Sequence, residues 1–328
     1  MLKKYSKTFN FDKTLLPSVF SFIKALPEEY LYYNKYEKIK HPGAILTRAI
    51  DEITTSFLKV LNLHDTLAVI DFKNDKKSTN EKGIREMLDA QQELIMHFDS
   101  LIDECYLVLK GLCPPPTIDT AIGEKFVSEW IRKNDYTCAG NFLGRIKNIQ
   151  KFIDMFSNGL KHGNQRLDLV VVNVSGYQML GFYIDVLKGV DVRNTYQWLS
   201  PKMDKFTIAF SFNYILKALL LCLYEICDDL EETIKVHIKE MHGKKLFGKI
   251  TMIKQNDTHE DMINRIAQLE NVFYPYEHKK FPKISVLGRL AKISYPHGDK
   301  IPYTGQLTAT SISRADGYTK EFPLPAFG

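Results

Sequence analysis

The stretch FTIAFSFNYILKALLLCLYEIC, residues 206–227, constrains the fold more than any other part of the chain. It is as long as a bilayer span. Lys217 sits in its middle and Glu225 near its end, and DDLEETIKVHIKE carries the helical pattern onward. A charge at a bilayer centre costs about 3 kcal/mol on insertion scales. The segment therefore reads as a buried central helix from about 205 to 241 in a protein with no membrane partner. A helix apolar over so much of its circumference has to be covered by other elements.

The covering elements are legible from spacing. AILTRAIDEITTSFLKVLNL, from Ala44, places apolar residues at helical intervals. FKNDKKSTNEKG is a lysine-rich loop whose end, Ser78 to Glu81, fits a capping box. A helix follows over roughly 79–111 and stops before Pro114-Pro115-Pro116. Further helices are expected over 121–133 and 139–162, the second ending at Gly163, a residue suited to a left-handed helix terminus. The first 40 residues are aromatic and lysine-rich, and LPEEYLYYNKYEKIKHPG, residues 26–43, reads as irregular or short-helical.

The period then changes. LDLVVVNV, YQMLGFYIDVL and TYQWL are β-branched and aromatic, and they suggest a small antiparallel meander over 167–199. After Gly243, KLFGKITMIKQ, ISVLGRLAKISY and GQLTATSIS read as strands, with HEDMINRIAQLENVF as a short helix among them. The expected fold class is mainly α: a helical bundle over 1–242 with a β-meander insertion, and a β-rich C-terminal region over 243–328.

The chain has 328 residues, 45% hydrophobic and 25% charged, with a formal net charge of +5. That permits a nucleic-acid partner without requiring one. The five cysteines are scattered and none forms a C-x-x-C pair, so neither a zinc ribbon nor a disulfide framework is expected. The start, MLKKYSKTFNFDK, has no apolar run of a secretory leader. Reduced thiols in a cytoplasmic protein are the expectation. No phosphate-binding glycine loop and no G-x-S-x-G elbow is present, which argues against those nucleotidases and hydrolases. No cofactor and no metal ligand set is expected from spacing.

One helix end carries chemistry. In FIDMFSNGLKHGN, residues 152–164, Ile149, Phe152, Phe156 and Gly159 fall on an apolar stripe. Asp154, Asn158 and His162 fall on a separate polar stripe, with Lys151 and Lys161 nearby. A histidine in a last helical turn also gains about 0.3–1 kcal/mol from the dipole when protonated, so a solvated face explains it as well. Chemically, an imidazole moves protons near neutral pH. Asp154 or Asn158 could orient it, and Lys161, Arg166 or Lys151 could hold a phosphate. That set suits metal-independent cleavage of RNA through its 2′-hydroxyl.

Ser157-Asn158-Gly159-Leu160-Lys161-His162 resembles the signature of the HEPN superfamily, in which an Arg, often followed by Asn, precedes a His near the end of a helix. Asn158 and His162 match, and Ser157 stands at the Arg position. The resemblance covers about residues 44–242. It implies a helical domain in which His162 is the proton-transfer residue and Asn158 its polar neighbour. It further implies a two-fold homodimer, an RNA substrate and a regulatory protein partner in a bacterial stress or phage-defence setting. A serine cannot supply the bidentate contacts of a guanidinium. Two readings follow: a metal-independent endoribonuclease, or a non-catalytic helical interaction or RNA-binding module.

Three further features compete. YPYEHKKFPK interleaves His278, Lys279 and Lys280 with aromatics, a pattern that suits single-stranded nucleic acid but is also that of a packed loop. His297, in a Pro-His-Gly run, reads as a turn residue. Asp228, Asp229, Glu231 and Glu232 read as a solvated acidic face.

Overall fold

The structure is a computed structural model that describes residues 2–70, 81–119, 123–161, 165–174, 177–186, 208–243, 257–274, 277–302, 307–312 and 319–324. It is a mainly helical α+β fold. Four long helices form its body: α2 (Pro42–Ala68), α3 (Glu81–Lys110), α5 (Cys138–Lys161) and α6 (Phe212–His242). Shorter helices accompany them: α1 (Val19–Lys24), α4 (Val127–Lys133) and α7 (Asp257–Gln268).

Successive long helices run antiparallel. Phe57 of α2 meets Phe98 of α3 edge-on, with ring centroids 5.9 Å apart, while Arg48 reaches Glu104 further along. Tyr106 of α3 packs on Phe142 of α5 at 5.4 Å, and Asp99 of α3 meets Ser157 at the other end of α5. The apolar stripe expected on α5 is present: Ile149, Phe152 and Phe156 are buried.

Helix α6 is the buried centre, with every residue from Tyr214 to Cys227 out of solvent. No described helix is long and apolar enough to cross a membrane. The intrusive Lys217 is resolved chemically. Its ammonium donates to the Leu269 carbonyl at 2.7 Å and to Asn271 Oδ1 at 2.6 Å. A buried ammonium with two good acceptors avoids most of the cost of desolvation, although burial still pushes its pKa down to about 8.

Helix α6 starts later than its apolar run suggests. Residues Ile208–Ser211 form strand β4, and the Ser211 hydroxyl caps the helix by accepting from the Tyr214 amide at 3.3 Å. Helix α4 is likewise shorter than the expected 121–133, because Gly123 takes a positive φ of 84° and Phe126 is extended.

Two antiparallel sheets complete the fold. Strands β1 (Tyr5–Asn10), β5 (Phe281–Leu287) and β6 (Leu290–His297) make one, in the order β1-β6-β5. The N-terminal segment thus contributes a strand for which its sequence raised no expectation, while residues 26–41 hold only short helical turns, Glu28–Tyr30 and Tyr33–Lys35, as expected; His297 closes β6 with its Nε2 2.8 Å from the Ser294 hydroxyl. The other sheet has the order β4-β3-β2-β7-β8, with β2 (Gln165–Val174), β3 (Tyr177–Val186), β7 (Leu307–Ile312) and β8 (Thr319–Leu324). Both sheets join strands from either side of Gly243. The expected strands in TYQWL and KLFGKITMIKQ lie outside the described residues, as does most of the capping box.

The β2–β3 hairpin is held against β4 and Tyr274 by a close approach. A Cβ on Gly181 would stand 2.2 Å from the Phe210 carbonyl oxygen and 2.2 Å from the Tyr274 hydroxyl, which donates to the Val170 carbonyl at 3.2 Å. Only glycine fits there.

Candidate functional site

Helix α5 links two chemically distinct ends of the bundle. Its last turns carry the polar stripe, and its first residue belongs to a buried thiol–imidazole cluster. At 1.5 Å per residue the two ends are about 35 Å apart.

At the C-terminal end, Lys147, Lys151, Asp154, Asn158 and Lys161 follow one another at alternating intervals of four and three, so they share one side of the helix. Lys147, Lys151, Asn158 and Lys161 are exposed and Asp154 is half-buried; Arg145 flanks the stripe, also exposed. Arg145, Lys147 and Lys151 make no ion pair with a described acidic residue. Asp154 is the only acid in the helix sequence.

The position where the HEPN-type signature has arginine is not on this surface. Ser157 is fully buried, and its hydroxyl donates to Asp99 Oδ1 at 2.9 Å. Lys161 pairs with the other oxygen of the same carboxylate. Asp99 thus ties the last two turns of α5 to α3. The Asp154 carboxyl lies beside this group. Burial raises its pKa above the ordinary carboxylate range, the Asp99 charge adds to the rise, and Lys161 opposes it. Asp103 is shifted upward for the same reasons.

Among the other residues singled out from sequence, Arg166 directs its Nε to Asp168 Oδ2 at 3.2 Å, an ion pair whose acid is fully buried. His162 lies outside the described residues, immediately after Lys161.

The rival features are structural. His278 is buried and its Nε2 accepts from the Phe273 amide at 3.3 Å, with Phe273 and Phe281 packed around the ring. The adjacent Glu277 accepts from the Ser211 amide and hydroxyl at 3.0 and 2.6 Å and from the Tyr274 amide at 2.8 Å. Here His278 and Glu277 hold a loop together, while Lys279 and Lys280 face outward. The acidic run on α6 is the expected solvated face only at its Glu232 end; Asp229 is buried and Asp228 half-buried. Lys3 Nζ lies 2.6 and 2.5 Å from the two oxygens of Asp229, and Lys7 and Tyr5 engage Asp228. The cause is β1, whose absence from the sequence reading left these acids without visible partners.

The second end went unnoticed in the sequence. Cys113, Cys138 and His237 are all buried. Cys113 Sγ lies 3.8 Å from Cys138 Sγ and 3.8 Å from His237 Nε2, across sequence separations of 25 and 124 residues. Nε2 is also 3.3 Å from the Leu112 carbonyl oxygen. The cysteines are free thiols. Hydrogen bonding from Cys113, followed by His237 and the Ala139 amide, lowers the Cys138 thiol pKa against the opposing effect of burial. Burial disfavours the His237 imidazolium, but the Cys138 partner raises its pKa overall. The only signal available in the sequence was positional: each residue lies at or near a helix end, and antiparallel packing of α3, α5 and α6 brings those ends together.

No family model, curated protein or solved structure matches the chain.

Proposed function

We propose that this chain is a HEPN-like helical protein that binds RNA along the exposed side of α5, with a helix-end site adapted to holding RNA rather than cutting it. The observation that carries this reading is the α5 surface. Arg145, Lys147 and Lys151 are exposed without an ion pair to a described acid, Asp154 is the one acid of the helix, and Asn158 and the Asp99-paired Lys161 extend the polar side. A row of lysines at helical spacing fits successive phosphates, and phosphate contacts supply most of the sequence-independent affinity for RNA. The lack of cleavage follows from Ser157. The residue in the arginine position is buried and bonded to Asp99, so it offers no charge to a phosphorane-like transition state.

The test is fluorescence anisotropy with a single-stranded RNA over a salt series. Each phosphate contact on a single strand contributes about 0.7 to the slope of log affinity against log salt. The triple change Arg145→Glu, Lys147→Glu, Lys151→Glu should weaken binding and flatten the slope by about 2. Unchanged affinity in that variant refutes the assignment of the surface.

One observation favours the second reading, a metal-independent endoribonuclease. The raised pKa of Asp154 brings a carboxyl closer to the range useful for proton transfer, eight residues before His162 in the sequence. In that case His162→Ala abolishes formation of 2′,3′-cyclic phosphate ends.

A further inference from the structure

We propose that Cys113, Cys138 and His237 bind a zinc ion, with the Leu112 carbonyl oxygen as fourth donor. A tetrahedral zinc ion has Zn–S bonds of about 2.3 Å and Zn–N and Zn–O bonds of about 2.0–2.2 Å. Those lengths place neighbouring donors about 3.8 Å apart for two sulfurs, about 3.6 Å for sulfur and nitrogen, and about 3.4 Å for nitrogen and oxygen. The observed separations are 3.8 Å between the sulfurs, 3.8 Å from Cys113 Sγ to Nε2, and 3.3 Å from Nε2 to the Leu112 oxygen. These three separations match those of a tetrahedral shell, and the three side-chain donor atoms all lie within 4.8 Å of one another.

The surroundings fix the donors from outside. The Cys113 carbonyl accepts from the Tyr36 hydroxyl at 2.9 Å, and the Pro114 carbonyl accepts from the Tyr136 hydroxyl at 2.5 Å. The Tyr136 ring stands edge-on to His237 at 6.2 Å. These contacts hold the main chain that carries Cys113 and the Leu112 carbonyl in place.

Charge favours the same ion. Zinc displaces the thiol protons of Cys113 and Cys138 to solvent and is bound by Nε2 of neutral His237. Two thiolates then cancel the charge of the ion, and a neutral complex is the form suited to a buried site. Two sulfurs and one imidazole nitrogen in tetrahedral array select zinc over magnesium or calcium, which take oxygen shells. The sulfurs are far beyond the bond length of about 2.05 Å in a disulfide, and the convergence of a third and fourth donor is not needed for one.

The experiment uses the full-length protein purified under reducing conditions, with zinc content measured by mass spectrometry and cobalt(II) as a spectroscopic substitute. Stoichiometric zinc is expected, together with the visible bands of tetrahedral cobalt and a thiolate charge-transfer band. Cys138→Ser and His237→Gln should each lose most of the bound metal, and Cys105→Ser should keep it. Failure of the folded wild type to take up zinc or cobalt overturns the proposal, and so does a cobalt spectrum lacking the thiolate band. Because that readout uses the wild type, it decides the question even where a variant does not fold. Zinc lost equally from a folded Cys105→Ser variant, or peptide mapping that finds Cys113 bonded to Cys138 in protein expressed with zinc, also overturns it.

Discussion

Replacing Ser157 by arginine completes the HEPN-type signature on paper, and the structure predicts that it damages the protein instead. Ser157 is fully buried between α5 and α3. A guanidinium side chain has no room there, and overpacking a core position costs about 1–3 kcal/mol. The change also removes the hydroxyl donor from Asp99 Oδ1, a bond to a charged acceptor worth about 1.5–3 kcal/mol. Together these reach about 3–6 kcal/mol, against a total stability of about 5–15 kcal/mol for a typical domain. Ser157→Ala isolates the second part and should cost about 1.5–3 kcal/mol. Urea titrations followed by far-UV circular dichroism give both numbers, with unchanged slopes expected if only stability is affected. An arginine variant with wild-type stability would refute the reasoning, since it would require the side chain to reach solvent from a position described as closed.

Gly181→Ala should lower the unfolding midpoint in the same assay by an amount worth about 1–3 kcal/mol or more, because its Cβ meets a main-chain oxygen that cannot move aside. Glu225 is completely buried, and neither carboxylate oxygen has a hydrogen-bond partner among the described residues. Burial pushes its pKa up to about 8 from 4.5. The folded state therefore holds a proton that the unfolded state releases, and stability present below pH 4.5 is lost as pH rises to about 8, by up to about 1.4 kcal/mol per pH unit. Glu225→Gln should remove that part of the pH dependence in urea titrations across the interval, and an unchanged profile would mean that the carboxyl is not isolated. Disruption of the Asp99 clasp by Asp99→Asn should speed amide hydrogen exchange in the last turns of α5, read by mass spectrometry, while leaving α2 unaffected.

Much of the helical framework was legible because apolar spacing is a local property. Helices α3, α5 and α6 each carry an apolar stripe that survives the reading of one chain, and the β2–β3 hairpin announces itself by a change of period. Local reading failed where two periods coexist. Ile208–Ser211 is apolar enough to continue a helix inward, and only its pairing with β3 makes it a strand. It failed again for β1, whose partner β6 lies near the other end of the chain. The consequences for function are direct. Without β1, Asp228 and Asp229 look like free surface acids. Without the packing of α5 on α3, Ser157 looks like an exposed arginine position that could be refilled. The Cys113, Cys138 and His237 cluster has no sequence spacing to recognise, since it is assembled from three helix ends.

The central claim is that α5 holds RNA without cleaving it. The most direct measurement incubates wild type, His162→Ala and the Arg145→Glu, Lys147→Glu, Lys151→Glu variant, each as purified and without added divalent ions, with single-stranded and transfer RNA, recording both binding and 2′,3′-cyclic phosphate ends. The account predicts saturable, salt-sensitive binding by wild type and by His162→Ala, loss of binding in the triple variant, and no cyclic ends above background in any sample. Cyclic ends produced by wild type and absent with His162→Ala would contradict it and establish the helix end as a nuclease site.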